Sequence, residues 1–193
     1  MKDALKTKLN LEMSIAQDIV DIAVDLKPDC ATLVPEKREE LTTEGGLDVL
    51  KGKERIEKVI ERLHEKEIKV SLFIDPELEQ IKASKEIGAD FIELHTGRYA
   101  HSKGKEQERE LKDLVMAKDK AIELGLKVNA GHGLNYQNVS PVAAISGIQE
   151  LNIGHSIISQ AVFVGLEKAV REMRELIARS ASHATGFTLH VSR

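Results

Sequence analysis

Six short apolar runs rich in β-branched residues alternate along the chain with longer charged segments of helical period. The strand-like runs fall near residues 9–13, 30–35, 69–75, 91–97, 127–133 and 150–155. Helical patterns fill the intervals at 14–26, 53–66, 76–87 and 105–124, in a short stretch after Val139, and at 156–179. Near-continuous apolar strands, each followed by a helix, belong in a parallel sheet covered by helices, because parallel neighbours need a crossover that packs back on the sheet. Between Arg55 and Leu63, the apolar residues Ile56, Val59, Ile60 and Leu63 recur at i, i+3, i+4 and i+7, which marks one buried stripe on an exposed helix. Gly88 and Gly125 follow helical patterns, where a left-handed residue closes the last turn.

Two α/β architectures fit this alternation. An open doubly wound sheet that binds dinucleotides carries G-x-G-x-x-G after a strand, and no strand here is followed by one. A closed (β/α) barrel needs eight units, of which this chain supplies six. No low-complexity segment or linker divides the sequence. The reading is therefore one barrel-type domain over residues 1–179, followed by an irregular tail over 180–193.

Composition narrows the partners. With 193 residues and a net charge of −4, the chain can bury a real core and has no bulk attraction for nucleic acid or an anionic membrane. It has no Trp, four Phe and two Tyr, too few for a base-stacking platform. The single cysteine, Cys30, cannot form an internal disulfide, which suits a reducing compartment, and reads as a small buried hydrophobe opening its strand. No signal peptide or membrane-length apolar run is visible, so a cytoplasmic location is the expectation.

Polar groups gather where the strands end. Two strands finish in Gly-His, at Gly131-His132-Gly133 and at Gly154-His155, and glycine there permits a sharp turn or close approach to a ligand. His132, between two glycines, is the strongest candidate for a general acid or base. Gly154 and His155 open the last helical pattern, where backbone N–H groups favour a phosphate. Glu12 sits among apolar sequence neighbours, a setting that favours proton transfer near neutrality. Glu93 and His95 alternate onto one face of their strand and read equally as core polar groups or site residues, while Asn129 is placed to orient a carbonyl or an imidazole. The polar loop after the second strand, with Thr42, Thr43, Gly45 and Gly46, is long enough to be functional. Asp75 before Pro76 reads as a helix N-cap with proline in the first turn. No dedicated metal-ligand spacing, nucleophile elbow or P-loop is present.

Taken in order, these segments resemble the pyridoxine 5′-phosphate synthase family of vitamin B6 biosynthesis. The stretches that carry the resemblance are Asn10-Leu11-Glu12-Met13, Leu33-Val34-Pro35-Glu36-Lys37-Arg38, Thr42-Thr43-Glu44-Gly45-Gly46-Leu47-Asp48-Val49 and Val70-Ser71-Leu72-Phe73-Ile74-Asp75. They continue through Phe91-Ile92-Glu93-Leu94-His95-Thr96-Gly97, Leu126 to Leu134, and Glu150-Leu151-Asn152-Ile153-Gly154-His155. The resemblance implies a (β/α)8 TIM-type barrel that assembles as a homo-octamer. It also implies the condensation of 1-deoxy-D-xylulose 5-phosphate with 3-amino-2-oxopropyl phosphate without an organic cofactor. By position it makes Glu12 the carboxylate base and His132 the proton donor. Thr42 would contact the deoxyxylulose phosphate, and Gly133, Gly154 and His155 would hold the second phosphate.

Family members begin with two further βα units that have no counterpart here. Those units carry an Asn, an Asp-His pair, an Arg and a His-x-Arg segment of the family's site. The expectation is that Met1 is an internal methionine read as a start, or that the gene is truncated. The second reading is a catalytically impaired remnant that still binds a phosphate ligand. A third, a different phosphate-handling barrel such as a phosphosugar isomerase, fits fewer of the motifs.

Overall fold

All six strand-like runs form strands of one parallel sheet in the order β1-β2-β3-β4-β5-β6, so each strand lies beside its sequence neighbours. The structure, a computed structural model, describes residues 4–35 and 45–185. The strands are β1 (Asn10–Met13), β2 (Cys30–Leu33), β3 (Lys69–Ile74), β4 (Phe91–His95), β5 (Lys127–Gly131) and β6 (Ile148–Asn152). Between and after them lie α1 (Gln17–Leu26), α2 (Val49–His64), α3 (Leu78–Glu86), α4 (Gly97–His101), α5 (Lys105–Glu123), α6 (Val139–Ala143), α7 (His155–Val164) and α8 (Leu166–Thr185). This is a curled partial barrel of six βα units, an α/β TIM-type architecture in which β1 and β6 remain edges.

The period-2 alternation of the strands divides the sheet into two unlike faces. One face carries Met13, Ala31, Leu33, Val70, Leu72, Ile74, Ile92, Leu94, Val128 and Ala130, all buried. The helices cover that face. The expected stripe Ile56, Val59, Ile60 and Leu63 of α2 is buried in the core, together with Ile81 of α3 and Leu114 of α5. At about 25 cal/mol per Å2 of apolar surface removed from water, this face is the main source of stability.

The opposite face is polar. Neighbouring strands align Glu12 with Thr32, Thr32 with Ser71, Phe73 with Glu93, Glu93 with Asn129, His95 with Gly131, and Gly131 with Asn152. The sheet curls around this face. Glu12 on β1 and Glu150 on β6 both act electrostatically on Glu93 in the middle of the sheet, and Glu150 also acts on Cys30 of β2.

Several local expectations need correction. Cys30 opens its strand as expected but is only half-buried, on the polar side. Burial pushes its thiol up to about 12, with the charges of Glu150, Asp90 and Glu93 adding to the effect. The helix before β3 begins at Val49 rather than near Lys53, because the Asp48 carboxylate accepts the Lys51 N–H at 3.1 Å and caps the first turn. The last helical pattern is two helices, since Gly165 takes φ = 84° and breaks the path between α7 and α8. Helix α8 runs past Arg179 to Thr185.

Candidate active site

The site is built on the polar face, at the ends of β4, β5 and β6. Glu93 is 3 % exposed, and the Asn152 side-chain amide donates to its Oε2 at 2.6 Å. Burial pushes the Glu93 carboxyl up to about 7, against the Asn152 bond and with help from the charges of Glu12 and Glu150. A carboxyl with this value can exchange a proton near neutral pH. Gly131 makes the arrangement possible, because a Cβ there would lie 2.2 Å from Glu93 Oε1.

Two residues along β4, His95 is buried, with its Nδ1 2.8 Å from Asp75 Oδ1. Asp75 is not the helix cap that the Asp-Pro dipeptide suggests. The cap position of α3 is Glu77, and the Asp75 side chain turns to the imidazole. Burial raises the Asp75 carboxyl, but the hydrogen bond to His95, helped by the Gly46 N–H, outweighs it and leaves the group below the usual carboxylate value. The His95 ring packs 5.1 Å from the Phe73 ring and 5.1 Å from the His132 ring, centroid to centroid.

His132 follows β5 with φ = 80°, a left-handed conformation uncommon outside glycine. Thr96, fully buried, holds that turn. Its hydroxyl lies 2.7 Å from the Gly131 carbonyl and 2.6 Å from the His132 carbonyl, and its N–H donates to Gly131 at 2.8 Å. Backbone strain maintained by surrounding bonds often accompanies a functional position.

Beyond His132, the chain is tied to the start of α7. Asn138 Nδ2 donates to the Gly133 carbonyl at 3.1 Å, and Ser156 Oγ donates to the Leu134 carbonyl at 2.9 Å. Gly133 therefore lies in a loop bonded to the helix that Gly154 caps and His155 opens. Gly133, Gly154 and His155 are all exposed.

Glu12 differs from expectation. Its apolar neighbours Leu11 and Met13 point to the other face of the strand, and Glu12 itself is exposed on edge strand β1. It lies on the polar face, beside Thr32 and within electrostatic reach of Glu93. Asn129 is buried on that face between Glu93 and the β6 edge, and its Oδ1 has no protein partner. Ser71 Oγ and His95 Nε2 share this condition. Thr42 lies outside the described residues.

Sequence reasoning gave no site role to Asp75, Thr96, Asn152, Phe73 or Ser71. Strand period was the usable signal: Ser71 and Phe73 share one face of β3, and Asn152 lies two residues beyond Glu150 on β6. Among the described residues, no group of three or more His, Cys, Asp or Glu is arranged to hold a metal ion. Nor is any described helix long and apolar enough to cross a membrane.

The parallel βα units and the titratable groups at their strand ends define an enzyme of the α/β-barrel class. Residues 1–179 match the family described as "Pyridoxal phosphate biosynthesis protein PdxJ", and the chain belongs to that family. Relatives called pyridoxine 5′-phosphate synthase include one from Prochlorococcus marinus (strain NATL1A), 55 % identical over 177 residues, covering 92 % of this chain and 72 % of the relative. One from Synechocystis sp. is 56 % identical over 175 residues, covering 90 % and 72 %. The fold is also similar to two solved structures of low identity. A crystal structure of the Amycolatopsis orientalis BexX/CysO complex matches with a TM-score of 0.63 at 14 % identity, over 100 % of this chain and 76 % of that one. A xylose isomerase domain protein from Planctomyces limnophilus matches with a TM-score of 0.52 at 13 % identity, over 89 % and 72 %.

Proposed function

We propose that this chain carries the pyridoxine 5′-phosphate synthase reaction, joining 1-deoxy-D-xylulose 5-phosphate to 3-amino-2-oxopropyl phosphate with release of phosphate and water. The observation that carries this reading is the 55 % identity to a curated synthase over 177 residues. The chemistry supports it. Condensing an amine with a ketone, losing water and closing a ring requires repeated proton transfer at carbon and oxygen. In this reading Glu12 takes protons at carbon, His132 donates them to departing oxygen, and Glu93, His95 and Asn129 support the reacting atoms. Gly133, Gly154 and His155 cradle one phosphate through backbone N–H groups and the imidazole, and Thr42 contacts the other substrate. No organic cofactor is needed. The reading extends to a cytoplasmic homo-octamer.

The test is incubation of the purified chain with both substrates, with chromatographic detection of pyridoxine 5′-phosphate. Product formation at a rate comparable to a curated relative supports the reading, and none at high enzyme concentration overturns it.

A second reading is a catalytically impaired chain that still binds phosphate. It is favoured by the strand order of the described sheet, in which β1 and β6 are the outer strands. Calorimetric binding of aminooxopropyl phosphate without product from both substrates would select it.

A further inference from the structure

Among the described residues, three buried polar atoms on the concave face have no hydrogen-bond partner: Ser71 Oγ, Asn129 Oδ1 and His95 Nε2. The last stands apart because the opposite nitrogen of the same ring is firmly engaged. Only one proton placement suits both ends of a neutral His95. With the proton on Nδ1, the ring donates to Asp75 Oδ1 across 2.8 Å, and Nε2 is left as an acceptor. With the proton on Nε2, two acceptors would face each other at Asp75, and a buried N–H would be orphaned. Buried N–H groups without acceptors are rarer in proteins than under-satisfied acceptors.

Gly97 lies directly against this buried acceptor. A Cβ there would sit 2.3 Å from Nε2, so only glycine fits beside the ring without forcing the imidazole to shift. The Phe73 and His132 rings, each 5.1 Å away, fix the plane of the imidazole. The Gly46 backbone N–H contributes to favouring the charged form of that carboxyl.

We propose that Asp75 is a positioning residue acting through His95: it holds the ring proton on Nδ1 so that Nε2 accepts a hydrogen bond from a hydroxyl or amino group of the bound substrate. This deepens the synthase reading and rests on it for the identity of the substrate. The site takes a donor rather than a phosphate, because a phosphate oxygen would meet a lone pair backed by a carboxylate. Aminooxopropyl phosphate carries its amine at one end, and deoxyxylulose phosphate carries free hydroxyls, so both offer suitable donors.

The test begins with 15N spectra of the full chain labelled at histidine, taken at about pH 8, above the usual imidazole range. The expected His95 signature is a protonated Nδ1 and a bare, pyridine-like Nε2. In Asp75→Asn, whose amide can donate to Nδ1, the pattern reverses. A wild-type ring protonated at Nε2, or an Asp75→Asn spectrum with the wild-type pattern, overturns the proposal whether or not the chain turns over substrate. The second arm uses His95→Asn, which keeps an amide N–H for Asp75 but has no atom at the Nε2 position. Its kcat is expected to fall about a hundred-fold, measured at a temperature where circular dichroism shows the variant folded. A kcat equal to wild type overturns the proposal. Absence of product from the wild type, with the expected ring signature intact, counts against the synthase reading alone.

Discussion

The Asn152 amide on β6 reaches across β5 to donate to Glu93 Oε2 on β4 at 2.6 Å. That bond favours the charged carboxylate, yet burial prevails and the group titrates at about 7. The consequence for stability has a definite sign. A carboxyl raised from 4.5 to about 7 on folding binds a proton in the native state that the unfolded chain has already lost. The stabilisation is complete below the unfolded value and is lost as pH rises through about 7. A displacement from 4.5 to about 7 corresponds to roughly 3 kcal/mol. Glu93→Gln imitates the neutral form and still accepts from Asn152. It should gain stability relative to wild type as pH rises from 4.5 to about 7, and hold that advantage above it. Urea denaturation at several pH values measures this, and a difference independent of pH would contradict it.

Thr96 supplies the second prediction. Thr96→Val keeps the shape but removes the hydroxyl that meets the Gly131 and His132 carbonyls. The lost bonds should destabilise the fold by about 1–3 kcal/mol. They should also release the left-handed turn at His132, which a loss of packing elsewhere would not do. Ile81→Val, in the core under α3, provides the comparison, at about 0.5–1.5 kcal/mol. Turnover should fall further in Thr96→Val than in Ile81→Val. Equal activity losses at equal stability would mean that the Thr96 clamp does nothing for His132.

The strands were legible because their two faces differ so sharply in polarity, and the helices because stripes such as Ile56 to Leu63 repeat with the right period. Other features left little trace. Helix α4, Gly97–His101, is too short to display a period. The break at Gly165 lies inside a continuous apolar pattern, and only the backbone angle reveals it. Asp75 was misread because Asp-Pro is a strong local cap signal, whereas its partner His95 is twenty residues away in sequence. Glu12 looked buried because its sequence neighbours are apolar, but in a strand those neighbours point the other way. Long-range partners such as Asn152 for Glu93 depend on strand order, which a local pattern does not contain.

His132 carries the third prediction. Asn tolerates the left-handed region better than most residues and lacks an imidazole. His132→Asn should therefore leave the thermal midpoint close to wild type while lowering turnover by roughly a hundred-fold or more. Measuring both together matters, because His132→Ala would place a less tolerant residue at φ = 80° and mix backbone effects with lost chemistry. Full activity in the Asn variant would remove the imidazole from the reaction.

The last prediction comes from the surface formed by α7 and the start of α8. Helix α7 has no buried residue, although its composition is largely apolar. Val162 is 80 % exposed and Phe163 86 %, with Ile158, Leu166 and Val170 exposed nearby on α7 and α8. An apolar cluster of this kind favours association of copies by burial of its side chains. The isolated chain should show a weight-average mass that rises with concentration in sedimentation experiments. Val162→Glu combined with Phe163→Glu should suppress that rise, since each carboxylate resists desolvation and the chain already carries a net charge of −4. Neither substitution touches the core, so the far-ultraviolet dichroism and thermal midpoint should stay near wild type. A wild-type chain that remains monomeric across the concentration range would show that this surface is tolerated in water as it stands.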